Sequence, residues 1–354
     1  MKHRVWLGSY SDTTRRGIQL LEVDGVSGAM ELRYQLYDIE NPTYLVLNRA
    51  RNRLYTVCKL ERAGSESFGA IAAYAVTGES VRLLNICHTP GTVPCHLALT
   101  PDEQALTFAE YAEANFGLVQ LDESGAMAAT TLVTGKLSGS GPNKSRQESA
   151  HAHFAAVTPD ERWLYVCDLG SDEVRLYSYQ AALAGRLEAC SGQTFHARPG
   201  AGPRHLRFHP NGRFAYLLNE LDNTLIALEY DGASLLALQS LSTLPDDFAG
   251  ESKAAALKFA DGGRLLLASN RGYNSIAAFA VNQESGRLTR LAVTPLSGPF
   301  PRDFEPLTGS DILLAGHKHI NEVAAYRLDC RDGSLERLAA SHSLHRPTCI
   351  VDGT

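Results

Sequence analysis

No stretch of the 354-residue sequence approaches the roughly 18 consecutive apolar residues that a membrane-spanning helix requires, so no membrane association is expected. The opening residues, Met1-Lys2-His3-Arg4-Val5-Trp6, pass straight into a strand-like pattern. They lack the apolar core and small-residue cleavage site of a signal peptide, and the cytoplasm is the expected location. Runs of basic residues are also missing, and 33 Lys and Arg against 39 Asp and Glu give a net charge of −6. That balance argues against nucleic acid or anionic lipid as a partner, yet leaves room for a small anion held by a few arginines. Cys-x-x-Cys spacing is absent, and the seven cysteines are odd in number and mostly lie in apolar strand patterns. Reduced, buried thiols are expected. Without a Gly-x-Ser-x-Gly elbow, a serine hydrolase is disfavoured. The segment Gly139 to Ser145 lacks the glycine that a phosphate loop places before its lysine, here Lys144, and a strand pattern follows it instead of a helix.

What the sequence does contain is repetition. Hydrophobic residues make up 44% and charged residues 20%, enough apolar content for a packed core. A unit of proline, two residues, an apolar strand, a polar turn and a second apolar strand begins at Pro42, Pro94, His151, Pro203, Ala254, Pro301 and Pro347. The first and last starts lie 305 positions apart over six intervals, a mean of about 51, which suits the four-stranded blades of a propeller. Third strands with period-2 alternation and weaker fourth strands follow, among them Glu173 to Tyr179 and then Arg186 to Cys190. The seventh unit breaks off soon after Val351, and its missing strands stand at the other end: 5–9, 17–23 and 30–32. The expected fold is therefore all-β, a single domain over 1–354: a seven-bladed β-propeller of four-stranded antiparallel blades, closed by terminal strands that share one blade and hide the edges.

The stretch from Pro199 to Glu220 shows what this register delivers. It reads as two strands reversing at Pro210-Asn211-Gly212, which returns Glu220 to the level of Arg204. At the same offset as Glu220, the other units carry Lys59, Tyr111, Asp168, Arg271 and Lys318. At the offset of Arg204 stands Arg302, and one position on come His96, His153 and His205. A polar ring closing over apolar strands suits a ligand site. His96 and His205 read better as recurring structural histidines. The segment 135–150, the one long stretch without a pattern, precedes His151 and His153, and long loops on rigid scaffolds often serve binding. The pairs His151/His153 and His317/His319 have a spacing that can chelate zinc, but no third ligand is evident, so neither metal nor cofactor is expected.

The runs 141–154 (GPNKSRQESAHAHF), 200–212 (GAGPRHLRFHPNG), 219–221 (NEL), 269–272 (SNRG) and 300–304 (FPRDF) together resemble the seven-bladed lactonase family. That family includes propeller-type 6-phosphogluconolactonases and carboxy-cis,cis-muconate cyclase. The resemblance implies a catalytic set of His153, Arg204, Glu220 and Arg271, with His151, Asp168, Arg302 and Lys318 as candidate substrate contacts. Where the family often has an acidic residue in the strand before Asn270-Arg271, this chain has Ala256, leaving the partner of Arg271 to be found. The implied activity is metal-independent hydrolysis of a small anionic sugar lactone, 6-phosphoglucono-δ-lactone first, the lactone of the pentose phosphate pathway. A cycloisomerase acting on a muconate-like dicarboxylate, and a propeller that binds a protein without catalysis, are the alternatives. The oligomeric state is not legible in the sequence.

Overall fold

A computed structural model describes residues 1–12, 14, 17–61 and 67–354. The described chain forms seven four-stranded antiparallel sheets, and in six of them the strands lie side by side in sequence order. Six sheets span 45–88, 96–136, 152–196, 203–242, 253–295 and 301–343. The seventh is built from both ends, in the order Pro347–Asp352, Lys2–Ser9, Ile18–Asp24 and Met30–Leu36. Count, order and shared terminal blade are those expected for a seven-bladed propeller. Among the described residues, helix is confined to Tyr179–Leu183 and three short 3-10 turns. None is long and apolar enough to cross a membrane.

Contacts divide the chain into two compact units. The first comprises Met1–Tyr37, His205–Tyr230 and Leu235–Thr354, and the second Asp38–Arg204 and Asp231–Ser234. Each owes its core to sheets packed face to face. In the first unit Phe214, Tyr216 and Phe279 cluster with Ala254, Ala268 and Ala277, so that large side chains fill the space left by small ones. In the second, Phe116, Leu118, Leu164 and Val166 do the same with Ala105, Ala152 and Ala155.

The recurring Thr-Pro-Asp-Glu turns have a local cause. Thr158 Oγ1 donates to Asp160 Oδ1 at 2.6 Å and accepts from the Trp163 amide at 3.1 Å, while Glu161 takes φ +58°. Thr100, Asp102 and Glu103 repeat the arrangement. The reversal expected at Pro210-Asn211-Gly212 is of this wider kind. Strand Pro203–Phe208 ends before it, strand Phe214–Asn219 begins after it, and Gly212 (φ +72°) donates to the His209 carbonyl at 2.9 Å. One outer strand also differs from expectation. After Glu173–Ser178, the residues Tyr179–Leu183 form a helical turn capped by Ser178, whose hydroxyl accepts from the Ala181 amide. Alanines in this segment favour helix and the cap satisfies a free amide, so the fourth strand is Phe195–His196 and not Arg186 to Cys190.

All seven cysteines are free thiols; four are buried, Cys95 and Cys190 are half-buried and Cys330 is exposed.

Candidate functional site

Irregularities in the first strands aim the side chains. Ala152 pairs with Asp168 and Phe154 with Cys167, so His153 is the extra residue of a bulge. Pro301 pairs with His317 and Asp303 with Gly316, which makes Arg302 the extra residue of its sheet. Such bulges turn one side chain out of the regular alternation, and they recur beside active sites. Period-2 reasoning cannot locate them, because the sequence carries no mark of the inserted residue.

In the second unit, Tyr111 is the centre. The His151 ring stacks on it at 4.3 Å and 3°, and the His153 ring meets it edge-on at 5.6 Å. His151 Nδ1 lies 2.9 Å from the Tyr111 carbonyl and Nε2 lies 3.2 Å from Glu148 Oε1, so both ring nitrogens are occupied. His153 is buried with Nδ1 4.0 Å from Cys95 Sγ. The long loop is ordered by Gln147, which is fully buried and donates to Leu169 O at 2.9 Å and Asp172 Oδ1 at 2.8 Å. It brings Arg146 to the Tyr111 hydroxyl at 3.1 Å, a contact that sequence reasoning missed. Asp168 has a different role from the one expected. Its buried carboxylate accepts from the amides of His151, Gly170 and Ser171 and from the Ser171 hydroxyl, which leaves it holding the loop and not a ligand. His96 also serves structure, stacked on Phe154 at 3.7 Å and accepting from the Ala155 amide at 3.3 Å. Arg204, the second residue of Pro203–Phe208, is buried.

In the first unit, Glu220 and Arg271 form a buried ion pair, Oε2 to Nη2 at 2.8 Å, with side chains only 4% and 6% exposed. Arg271 also donates to the carbonyls of Ala254 at 2.7 Å and Lys253 at 3.3 Å. The preceding Asn270 is fixed by the Thr243 hydroxyl and carbonyl and by Ser275, which sets the direction in which Arg271 leaves the strand. Gly272 has φ +123°, and a Cβ there would sit 2.2 Å from the Glu251 carbonyl, so only glycine lets the chain turn away after Arg271. Glu220 thus supplies the carboxylate partner that Ala256 lacks.

Beyond Arg271 lies a group of cations and rings. Arg271 Cζ is 5.3 Å and Lys318 Nζ 5.2 Å from the centre of the Phe300 ring. Around Tyr10 stand Arg346 at 4.7 Å, Lys318 at 5.0 Å and Arg302 at 6.0 Å. Burial, together with Arg302, Arg346 and Arg271, lowers the Lys318 pKa to about 8. Phe300 and Arg346 each precede a proline and take φ +59° and +46°. Left-handed backbone at a non-glycine residue costs on the order of 1–3 kcal/mol and collects at functional sites. Tyr10, Phe300 and Arg346 were not singled out from the sequence. The signal available was the position just before a unit start, where Asn41 and Gly202 are left-handed too.

The second histidine pair is not a chelate. His317 is fully buried with Nε2 3.0 Å from the Tyr326 hydroxyl, whereas His319 is exposed and stacks on Phe300 at 4.1 Å. Among the described residues, no three His, Cys, Asp or Glu side chains are grouped to hold a metal. Burial lowers the His317 pKa from 6.5 to about 4. A depressed histidine contributes stability that is present above 6.5 and lost as pH falls towards 4, about 3 kcal/mol in all. Denaturant unfolding at pH 7, 5 and 4 should show this decline, and His317→Asn should flatten it; an unchanged slope in the variant would contradict the assignment.

The chain belongs to the lactonase family of seven-bladed β-propellers, whose sequence profile matches residues 4–351. It is 33% identical to a Bacillus subtilis 6-phosphogluconolactonase over 307 residues, 86% of this chain and 84% of that one. Among solved structures, the Pseudomonas aeruginosa periplasmic gluconolactonase PpgL has a TM-score of 0.92 at 27% identity, covering 99% of both chains. A Lactobacillus plantarum protein has a TM-score of 0.89 at 31% identity, again with 99% of each covered.

Proposed function

We propose that this lactonase-family protein hydrolyses a sugar lactone, with 6-phosphoglucono-δ-lactone as the leading substrate, and that His153, Arg204, Glu220 and Arg271 carry the reaction. The buried Glu220–Arg271 pair is the observation that carries the reading: an arginine fixed by a carboxylate and two carbonyls is preorganised for an oxyanion or a substrate anion. Water attacks the lactone carbonyl carbon as His153 takes its proton. The negative charge that develops on the carbonyl oxygen is held by arginine. As the ring C–O bond breaks, the proton passes to the departing ring oxygen, leaving a hydroxy acid. Tyr111 and Cys95 border His153, and His151, held by Glu148, positions the Tyr111 ring. A phosphorylated substrate places the reaction in the cytoplasm, where sugar phosphates are made.

The test is hydrolysis of freshly generated phosphorylated and unphosphorylated gluconolactone, corrected for spontaneous opening and repeated with a chelator. Turnover above buffer that survives the chelator is the expected result. Failure on both lactones would overturn the reading.

A further inference from the structure

We propose that Arg302, Lys318 and Arg346, arranged around the Tyr10 ring, form a subsite for the phosphate group of the substrate, separate from the Arg271–Glu220 pair. The assignment rests on the lactonase reading for its substrate and on three local observations for its chemistry. First, the three cations share one aromatic ring, and among the described residues none of them forms an ion pair with a carboxylate. Arg271, across Phe300 from Lys318, has Glu220. Like charges gathered in this way repel one another and are stabilised when an anion completes the group. Burial first, and the neighbouring guanidinium charges after it, lower the Lys318 pKa.

Second, the anion best matched is a phosphate. Two guanidinium forks and an ammonium can engage separate oxygens of a tetrahedral dianion, whereas a carboxylate offers two oxygens and a neutral hydroxymethyl carries no charge. Third, the backbone has been bent to build the cluster. Arg346 and Phe300 hold left-handed conformations before Pro347 and Pro301, and Arg302 is the extra residue of its bulge. Three irregularities from two neighbouring sheets therefore converge on one group of side chains. Phe300 sets the spacing: Arg271 and Lys318 both stand just over 5 Å from its centre, on a scale that lets the two ends of a six-carbon sugar acid reach one cation each.

The experiment has a binding arm and a kinetic arm. In calorimetric titrations, the wild-type protein should bind 6-phosphogluconate at least tenfold more tightly than gluconate. Inorganic phosphate should compete with the phosphorylated acid. Lys318→Met and Arg346→Met should each reduce the preference for 6-phosphogluconate at least tenfold, and Lys318→Arg should retain most of it. In the kinetic arm, the ratio of kcat/KM for the phosphorylated over the neutral lactone should fall by the same factor. Equal affinity of the wild-type protein for the two acids would overturn the proposal, as would equal losses for both substrates in the methionine variants. Should neither lactone be hydrolysed, the lactonase reading fails while the binding arm still decides whether a phosphate subsite exists.

Discussion

Glu220→Gln is expected to lower kcat/KM for the lactone by about 10²-fold, a loss of about 2.7 kcal/mol in transition-state stabilisation. The substitution preserves shape and removes one negative charge. Arg271, 7% exposed and facing Phe300 and the Lys318 cluster, then keeps only the carbonyls of Ala254 and Lys253. A buried guanidinium without its carboxylate loses its fixed orientation, and orientation is what makes an arginine effective against a developing oxyanion. Arg271→Met should cost as much or more. The double variant should be little worse than the more impaired single, because both substitutions disable one unit. Measured activity within threefold of wild type in Glu220→Gln would remove the pair from the reaction, and strictly additive losses would show that the two residues act separately.

The largest effect on stability is expected at Lys258. Its ammonium meets Asp303 at 3.4 Å, contacts Glu305 directly and donates to the Ile350 carbonyl at 2.9 Å; Asp303 in turn accepts from the Ile350 amide at 2.8 Å. Side-chain exposures of 17%, 11% and 21% keep the group largely out of water. Burial disfavours the ammonium, but Asp303 and Glu305 more than offset that and raise its pKa. Lys258→Met leaves two neighbouring carboxylates without their cation, at a cost of about 3 kcal/mol. With an unfolding entropy of about 2.1 cal/mol/K per residue over the 354 residues, the melting temperature should fall by roughly 4 °C. Adding Glu305→Gln should recover part of the loss, since it removes one of the stranded charges. A variant melting within 2 °C of wild type, as an order-of-magnitude threshold, would show that water already screens the group.

Much of the architecture was legible because a repeat of about 51 residues constrains every unit at once. A strand obscure in one copy is clear in another, and equivalent offsets predict equivalent places. The same arithmetic singled out Glu220, Arg271, Arg302 and Lys318 before any distance was known. It failed where a unit departs from its siblings. The Ser178 cap and the alanines after it turned an expected strand into a helical turn. Asp168 shares an offset with Glu220, but its carboxylate is filled by the amide of His151 and by those of Gly170 and Ser171 in the turn that follows it. Offsets identify positions and carry no information about which hydrogen bonds a neighbouring loop will supply. Tyr10 lay outside the repeated segment, and Phe300 and Arg346 lay one residue before it, so comparison between units passed over all three.

The terminal blade has a consequence for how the protein is made. Strand Lys2–Ser9 leaves the ribosome more than three hundred residues ahead of its partner on one side, Pro347–Asp352. At ~5–20 residues per second, that edge stays unpaired for roughly 20–70 seconds of translation. During this interval the nascent polypeptide presents Val5, Trp6 and Leu7 on an open strand, the kind of surface that chaperones retain and that neighbouring chains on a polysome can cross-pair.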